Sequence, residues 1–225
     1  MSLCLWSGAD WMSSSLEWRQ YFESNAKSLL KIPWDLGPEL NLDEVLAIQR
    51  SLCEFQAGEN SEGRHLIHHA RRYALDSGDH EYAAAIRLFI AEEQRHAREL
   101  GRFLTLNGIP LVRTTFNDRV FRGLRNLFSG LEMSLAVLIT AELIAEVYYA
   151  ALREATGSAI LRRLCDQILR DELQHVDFQA QQLSKLRAGR NRIGMLCTMA
   201  AQRFLFSGTV VVVWRSTIEC FAVAV

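Results

Sequence analysis

The chain has 225 residues, is 49% hydrophobic and carries a formal charge of −1 from 25 basic and 26 acidic side chains. That length and apolar content suffice for one well-buried domain, and the near-zero balance leaves no basic footprint for nucleic acid. Cys4, Cys53, Cys165, Cys197 and Cys220 are widely spaced with no Cys-x-x-Cys, which excludes a disulfide framework or a zinc knuckle and suits a reducing, cytoplasmic location. The start, MSLCLWSGADW, has no basic segment followed by an apolar stretch and predicts no secretory signal.

Prolines occur only at Pro33, Pro38 and Pro110, each beside other turn signals, so the rest of the chain is free to be helical. An amphipathic helix is predicted from about Ser14 to Leu30, within an N-terminal extension spanning 1–40. Trp6, Trp11, Trp18 and Trp34 cluster there, and packing of the extension onto a larger body explains them better than an aromatic box. Asn41 or Asp43 can cap a long helix to about Leu75 with Leu52, Phe55, Glu59, Glu62, Leu66, His69 and Tyr73 on one stripe. A second helix opens at Asp79 or His80, carries Tyr82, Ile86, Phe89, Glu93, His96, Leu100 and Phe103, and closes at Asn107-Gly108. After a polar connection, a third runs from about Ser129 to Thr156 with Leu135, Leu138, Glu142, Ala145, Tyr149 and Leu152 inward. A fourth, from about Ser158 to Ala188, presents Ile168, Glu172, His175, Gln179 and Leu183. The segment 189–225 is mostly apolar. Gln202 and Arg203 near its middle argue against a membrane span, which favours a helix packed on the body or on a second copy, with a short strand at Val210 to Val213 as an alternative.

Two Glu-x-x-His pairs, Glu93 to His96 and Glu172 to His175, stand 79 residues apart on different helices. A three-residue step places a carboxylate and an imidazole on one helical face, so each pair can serve one ion. Glu142 is the inward carboxylate of the third helix, with Glu146 one turn on as the alternative. On the first helix the spacing from Glu62 to Glu93, 31 residues, nearly matches the 30 from Glu142 to Glu172, which ranks Glu62 ahead of Glu59. Four inward carboxylates and two imidazoles would be unstable without compensating charge. Two divalent ions supply +4, and this donor set selects iron or manganese over zinc, magnesium or calcium. His65 forms a third Glu-x-x-His with Glu62 but falls off the stripe, and His68 and His69 complete a histidine-rich turn. Glu92 and Asp171, each preceding a ligand, can accept a hydrogen bond from the histidine of the facing helix, with an ordinary surface carboxylate as the alternative at both and the favoured one at Glu92. Tyr148 and Tyr149 can bond a ligand carboxylate or simply pack.

With EEQRHA, DELQHV and the glutamates of GENSEGR and TAELIAE, residues 41 to 188 resemble the ferritin-like di-iron carboxylate superfamily, including rubrerythrins and the di-iron oxygenases. The resemblance implies an all-α fold, a ferritin-like four-helix bundle with an added N-terminal helix and an apolar C-terminal helix. It also implies a centre of two iron ions reacting with oxygen or peroxide. Glu62 or Glu59, Glu93 and His96 would serve one half and Glu142, Glu172 and His175 the other, with Glu93 and Glu172 as bridges. No rubredoxin-like module follows, which disfavours a complete rubrerythrin. The expectation is an oxidoreductase acting on a small organic substrate, with an unidentified electron donor, no nucleic acid or membrane partner and a homodimer as an option. The alternative is an iron-binding ferroxidase with no organic substrate.

Overall fold

The computed structural model describes residues 14–60, 63–112, 130–188 and 190–221, and every regular element among them is helical. Helix α1 (Ser15–Asn25) starts in a capping box: Ser14 Oγ accepts from Glu17 N at 3.2 Å while Glu17 Oε2 accepts from Ser14 N at 2.9 Å. It stops short of the expected Leu30, where the backbone N–H donates instead to Gln167 Oε1 at 2.7 Å. A 3₁₀ turn (Trp34–Leu36) leads to α2 (Leu42–Glu59), which opens on a second capping box, between Asn41 and Glu44. Then follow α3 (Arg64–Ser77), α4 (His80–Leu106), α5 (Leu131–Ala155), α6 (Ala159–Arg187) and α7 (Arg192–Phe221).

The expected continuous first helix is broken. α2 ends at Glu59, Asn60 leaves helical geometry at ψ 55°, and Gly63 opens α3 at φ +61°. Few side chains tolerate that left-handed backbone, and here a Cβ would also stand 2.4 Å from Ile90 Cδ1 and 2.8 Å from Ile90 Cγ1 on α4. Gly63 therefore lets the chain turn while lying directly against α4.

α5 and α6 form the most extensive pairing, and α4 packs against α1, α2, α3 and α6. This arrangement is compatible with a four-helix bundle in which α2 and α3 together supply one arm. Its apolar core is divided. One cluster joins Leu52, Leu100, Phe103, Tyr149, Leu152, Leu164 and Ile168, and the other joins Trp18, Phe22, Leu66, Ile86, Phe89, Leu135 and Phe178. Along α4 the change falls between Ile90 and Leu100, and along α6 between Ile168 and Phe178. The Glu-x-x-His pairs occupy those two intervals.

Helix α1 belongs to the second cluster. Trp18 and Phe22 are almost fully buried against Phe178, and the Trp18 indole N–H donates to Gln181 Oε1 at 2.9 Å. Trp34 lies instead beneath the Arg102 guanidinium, 4.2 Å from the ring centre, beside the other cluster, so Trp18 and Trp34 share no box. Trp6 and Trp11 lie outside the described residues. The proposed strand at Val210 to Val213 is helix, inside α7, which lies against α2 and α5. Among the described residues one helix, α5, is long and apolar enough to cross a membrane, but 56% of its apolar stretch is buried within the protein.

The glycines at 63 and 78 separate two costs. Gly78 ends α3 at φ +77° with nothing within 4 Å of a Cβ. Gly78→Ala is expected to lose about 1 kcal/mol from the backbone alone, and Gly63→Ala roughly 1–3 kcal/mol more because Ile90 must move. Urea unfolding of both variants checks the order, which equal losses would contradict.

Candidate metal centre

Among the described residues, the first-helix carboxylate of the cluster is Glu59, the last residue of α2. From α4 come Glu93 and His96, from α5 Glu142, and from α6 Glu172 and His175. Their ligand atoms fall into two groups, each within 4.8 Å: Glu59, Glu93, His96 and Glu172, and Glu93, Glu142, Glu172 and His175. Glu93 and Glu172 belong to both. Glu172 turns Oε1 toward His96 Nδ1 and Oε2 toward His175 Nδ1, at 3.6 Å each, and Glu93 Oε1 lies 3.8 Å from His96 Nδ1 and 3.0 Å from His175 Nδ1. His96, His175 and Glu172 are completely buried.

The equal-spacing argument for Glu62 presumed an unbroken helix, whereas the break places Glu59 in the cluster; Glu62 itself lies outside the described residues. Glu146 is half-buried on α5 and belongs to neither group. His65 and His68 are exposed on α3, and His69 is partly buried, also outside both groups.

Each histidine is anchored from behind by a carboxylate of the facing helix. His96 Nε2 lies 3.0 Å from Asp171 Oδ2, and His175 Nε2 lies 3.0 Å from Glu92 Oε2. Neither Asp171 nor Glu92 is a surface carboxylate, at 0% and 5% exposure. Asp171 also accepts from Arg95 Nη2 at 2.6 Å and from Gln167 Nε2 at 2.9 and 3.0 Å. Such acceptors keep the proton on Nε2, so a neutral ring turns the Nδ1 lone pair into the cluster. Asn25, on α1, donates to Glu92 Oε1 at 2.7 Å and to Asp171 Oδ1 at 2.8 Å. Sequence reasoning missed this contact; its signal was an asparagine continuing the apolar spacing of Trp18 and Phe22.

On the inner side, Tyr149 Oη donates to Glu59 Oε1 at 2.9 Å and Gln179 Nε2 to Glu142 Oε1 at 2.9 Å. Tyr148 turns away to Ser51 Oγ at 3.1 Å and stacks on Phe55. Five buried atoms facing the cluster have no hydrogen-bond partner: Glu93 Oε1, both oxygens of Glu172, and Nδ1 of His96 and of His175. The 3.0 Å approach of Glu93 to His175 is thus proximity without hydrogen-bond alignment. Buried polar atoms are normally satisfied, and a converging set of unsatisfied oxygen and imidazole nitrogen donors is what a cation requires. The residues fit a metal.

Electrostatics agree with that fit. Burial, reinforced by Glu93, pushes the Glu59 carboxyl up to about 8, and burial with Glu142 and Glu93 holds Glu172 well above the carboxylate range. Burial alone would lower both histidines, but hydrogen bonds and nearby carboxylates outweigh it and raise them, His175 strongly. Asp171 goes the other way: burial opposes its charge, yet the bonds from His96 and Gln167 and the Arg95 charge hold it far below its ordinary value. Without a cation the inner layer retains protons; a cation would displace them.

Two predictions follow from this charge balance. In metal-free protein Glu172→Gln is expected to raise stability on the order of 1 kcal/mol, about 2–4 °C in Tm, by removing a buried carboxyl from its like-charged neighbours; with metal bound the order reverses. Calorimetry with and without chelator reads both, and a variant less stable in both states contradicts it. Because the folded value of Glu59 is raised from 4.5 to about 8, its contribution is full below pH 4.5 and is lost as pH climbs toward 8. The metal-free stability of Glu59→Gln should therefore fall less across that window in urea titrations at stepped pH. No family model, curated protein or solved structure matches the chain, so the identification of an all-helical protein with a buried Glu/His cluster that can hold metal, compatible with a di-iron helical bundle, rests on this geometry.

Proposed function

We propose that the protein is a non-haem di-iron oxidoreductase that activates oxygen or peroxide. The observation that carries this reading is the convergence of four glutamates and two Nε2-anchored histidines from four helices, with five inner atoms, on Glu93, Glu172, His96 and His175, unsatisfied. Glu59, Glu93, His96 and Glu172 would hold one ion, and Glu93, Glu142, Glu172 and His175 the other, the shared Glu93 and Glu172 acting as bridges. Four carboxylates balance two divalent charges, and mixed carboxylate and imidazole ligation suits iron, with manganese as the alternative. When bound, two ferrous ions supply two electrons and coordination positions for oxygen or peroxide.

The chain's own residues provide the setting. Asp171 and Glu92 keep the histidine protons on Nε2 and fix both rings. Tyr149 holds its proton at Oη toward Glu59, since burial and the Glu59 charge raise the phenol well above its usual range. The two apolar clusters exclude water from above and below. An open groove of about 580 Å³ between α2 and α4 has Gln56, Asn60, Arg98, Arg102, Thr105 and Leu111 among its lining residues. No side chain of the Glu/His cluster lines this groove. The buried unpaired thiols of Cys53 and Cys165 suit a reducing cytoplasm.

Anaerobic titration with ferrous iron is expected to give two ions per chain, followed by oxidation within seconds to minutes of mixing with oxygen. His96→Ala and His175→Ala should each weaken loading on the order of 100-fold or more, and His65→Ala within about threefold, given that loss of even an outer partner costs about 10–100-fold. One ion or none at saturation, or a ferrous signal persisting for hours in oxygen, overturns the reading.

A further inference from the structure

Helix α1 contributes one buried polar side chain to the surroundings of the centre, and its two hydrogen bonds are unequal in consequence. Asn25 is 3% exposed, and its Nδ2 is divided between Glu92 and Asp171. The amide cannot be reversed, because reversal would set its oxygen against two carboxylates. Asp171 has other holders in Arg95 and Gln167. Glu92 has none: among the described residues its hydrogen bonds go to His175 and to Asn25 alone.

Resting on the di-iron reading above, we propose that Asn25 is a positioning residue for one half of the centre, setting the ion held by His175 through Glu92. With Asn25 in place, Glu92 Oε1 is fixed and Oε2 can meet His175 Nε2–H, aiming Nδ1 inward. Without it, the Glu92 carboxylate is free to rotate and its bond to His175 Nε2–H is loosened, whereas Asp171 stays bound to Arg95 and Gln167 and keeps His96 aligned. The two ion positions therefore differ in their dependence on α1. A merely structural asparagine would, on removal, loosen both halves or neither.

The test uses full-length Asn25→Ala, with Mn(II) as a redox-silent probe. Free Mn(II) is followed by electron paramagnetic resonance during titration, and the histidine ring resonances of metal-free protein by two-dimensional proton–nitrogen spectra. Expected are a loss of about 10–100-fold in affinity for one Mn(II), a change within about threefold for the other, and a displaced or broadened His175 Nε2–H signal with that of His96 preserved. Asn25→Ser, which keeps one donor, should lie between wild type and alanine and serves if alanine fails to fold. Equal weakening of both Mn(II) positions, an isotherm superimposed on wild type, or an unmoved His175 resonance overturns the role of Asn25. Fewer than two Mn(II) bound to wild type would overturn the dinuclear reading instead, and the ring spectra still decide the link from Asn25 to His175.

Discussion

Everything in this structure is arranged around the difficulty of keeping several carboxyl groups inside a helical core. Glu59, Glu142 and Glu172 are buried, with Glu93 close by, in a layer between two separate apolar clusters. Charges in such a place are costly unless opposite charge and hydrogen bonds meet them. The chain provides the hydrogen bonds on the outside, through Asp171, Glu92, Arg95, Gln167 and Asn25, and leaves the inner atoms of Glu172, His96 and His175 unmet. A core built for stability alone would place apolar side chains there. The unsatisfied inner layer is the clearest mark of a functional site.

The outer layer is crossed rather than local. His96 of α4 is held by Asp171 of α6, and His175 of α6 by Glu92 of α4. Each carboxylate therefore sits next in sequence to a ligand on its own helix while orienting the ring on the opposite one. The reciprocal exchange locks α4 and α6 in rotation about their axes, since turning either helix would break both bonds. Tyr149 and Gln179 likewise hold the carboxylates of Glu59 and Glu142, so little of the cluster's geometry is left to side-chain freedom.

The parts of this design that follow from helix geometry were legible in the sequence. A Glu and a His three residues apart must share a face, and α4, α5 and α6 begin and end within about two residues of where caps and glycines placed them. Glu92 and Asp171 were legible only in part: a residue next to Glu93 or Glu172 can point to the flank of the facing helix or to solvent, and the sequence favoured solvent for Glu92, which is 5% exposed. Symmetry ranked Glu62 ahead of Glu59 by assuming a straight helix; the local clue to the break was Asn60 with Gly63, and Glu62 lies outside the described residues. Asn25 was hidden for a different reason. Its role depends on where α1 docks, and nothing in eleven residues of helix states which two carboxylates they will meet.

The hydrogen bonds around the histidines span large separations along the chain: 75 residues for His96 and Asp171, 83 for His175 and Glu92, and 146 for Asn25 and Asp171. No single hairpin contains a closed set. While the chain is being synthesised, Asn25 of α1 can meet Glu92 of α4 and Tyr149 of α5 can meet Glu59 of α2, but Asp171, Glu172, His175 and Gln179 arrive only with α6. Both Glu/His groups are thus complete only once α6 has been made, because both share Glu172.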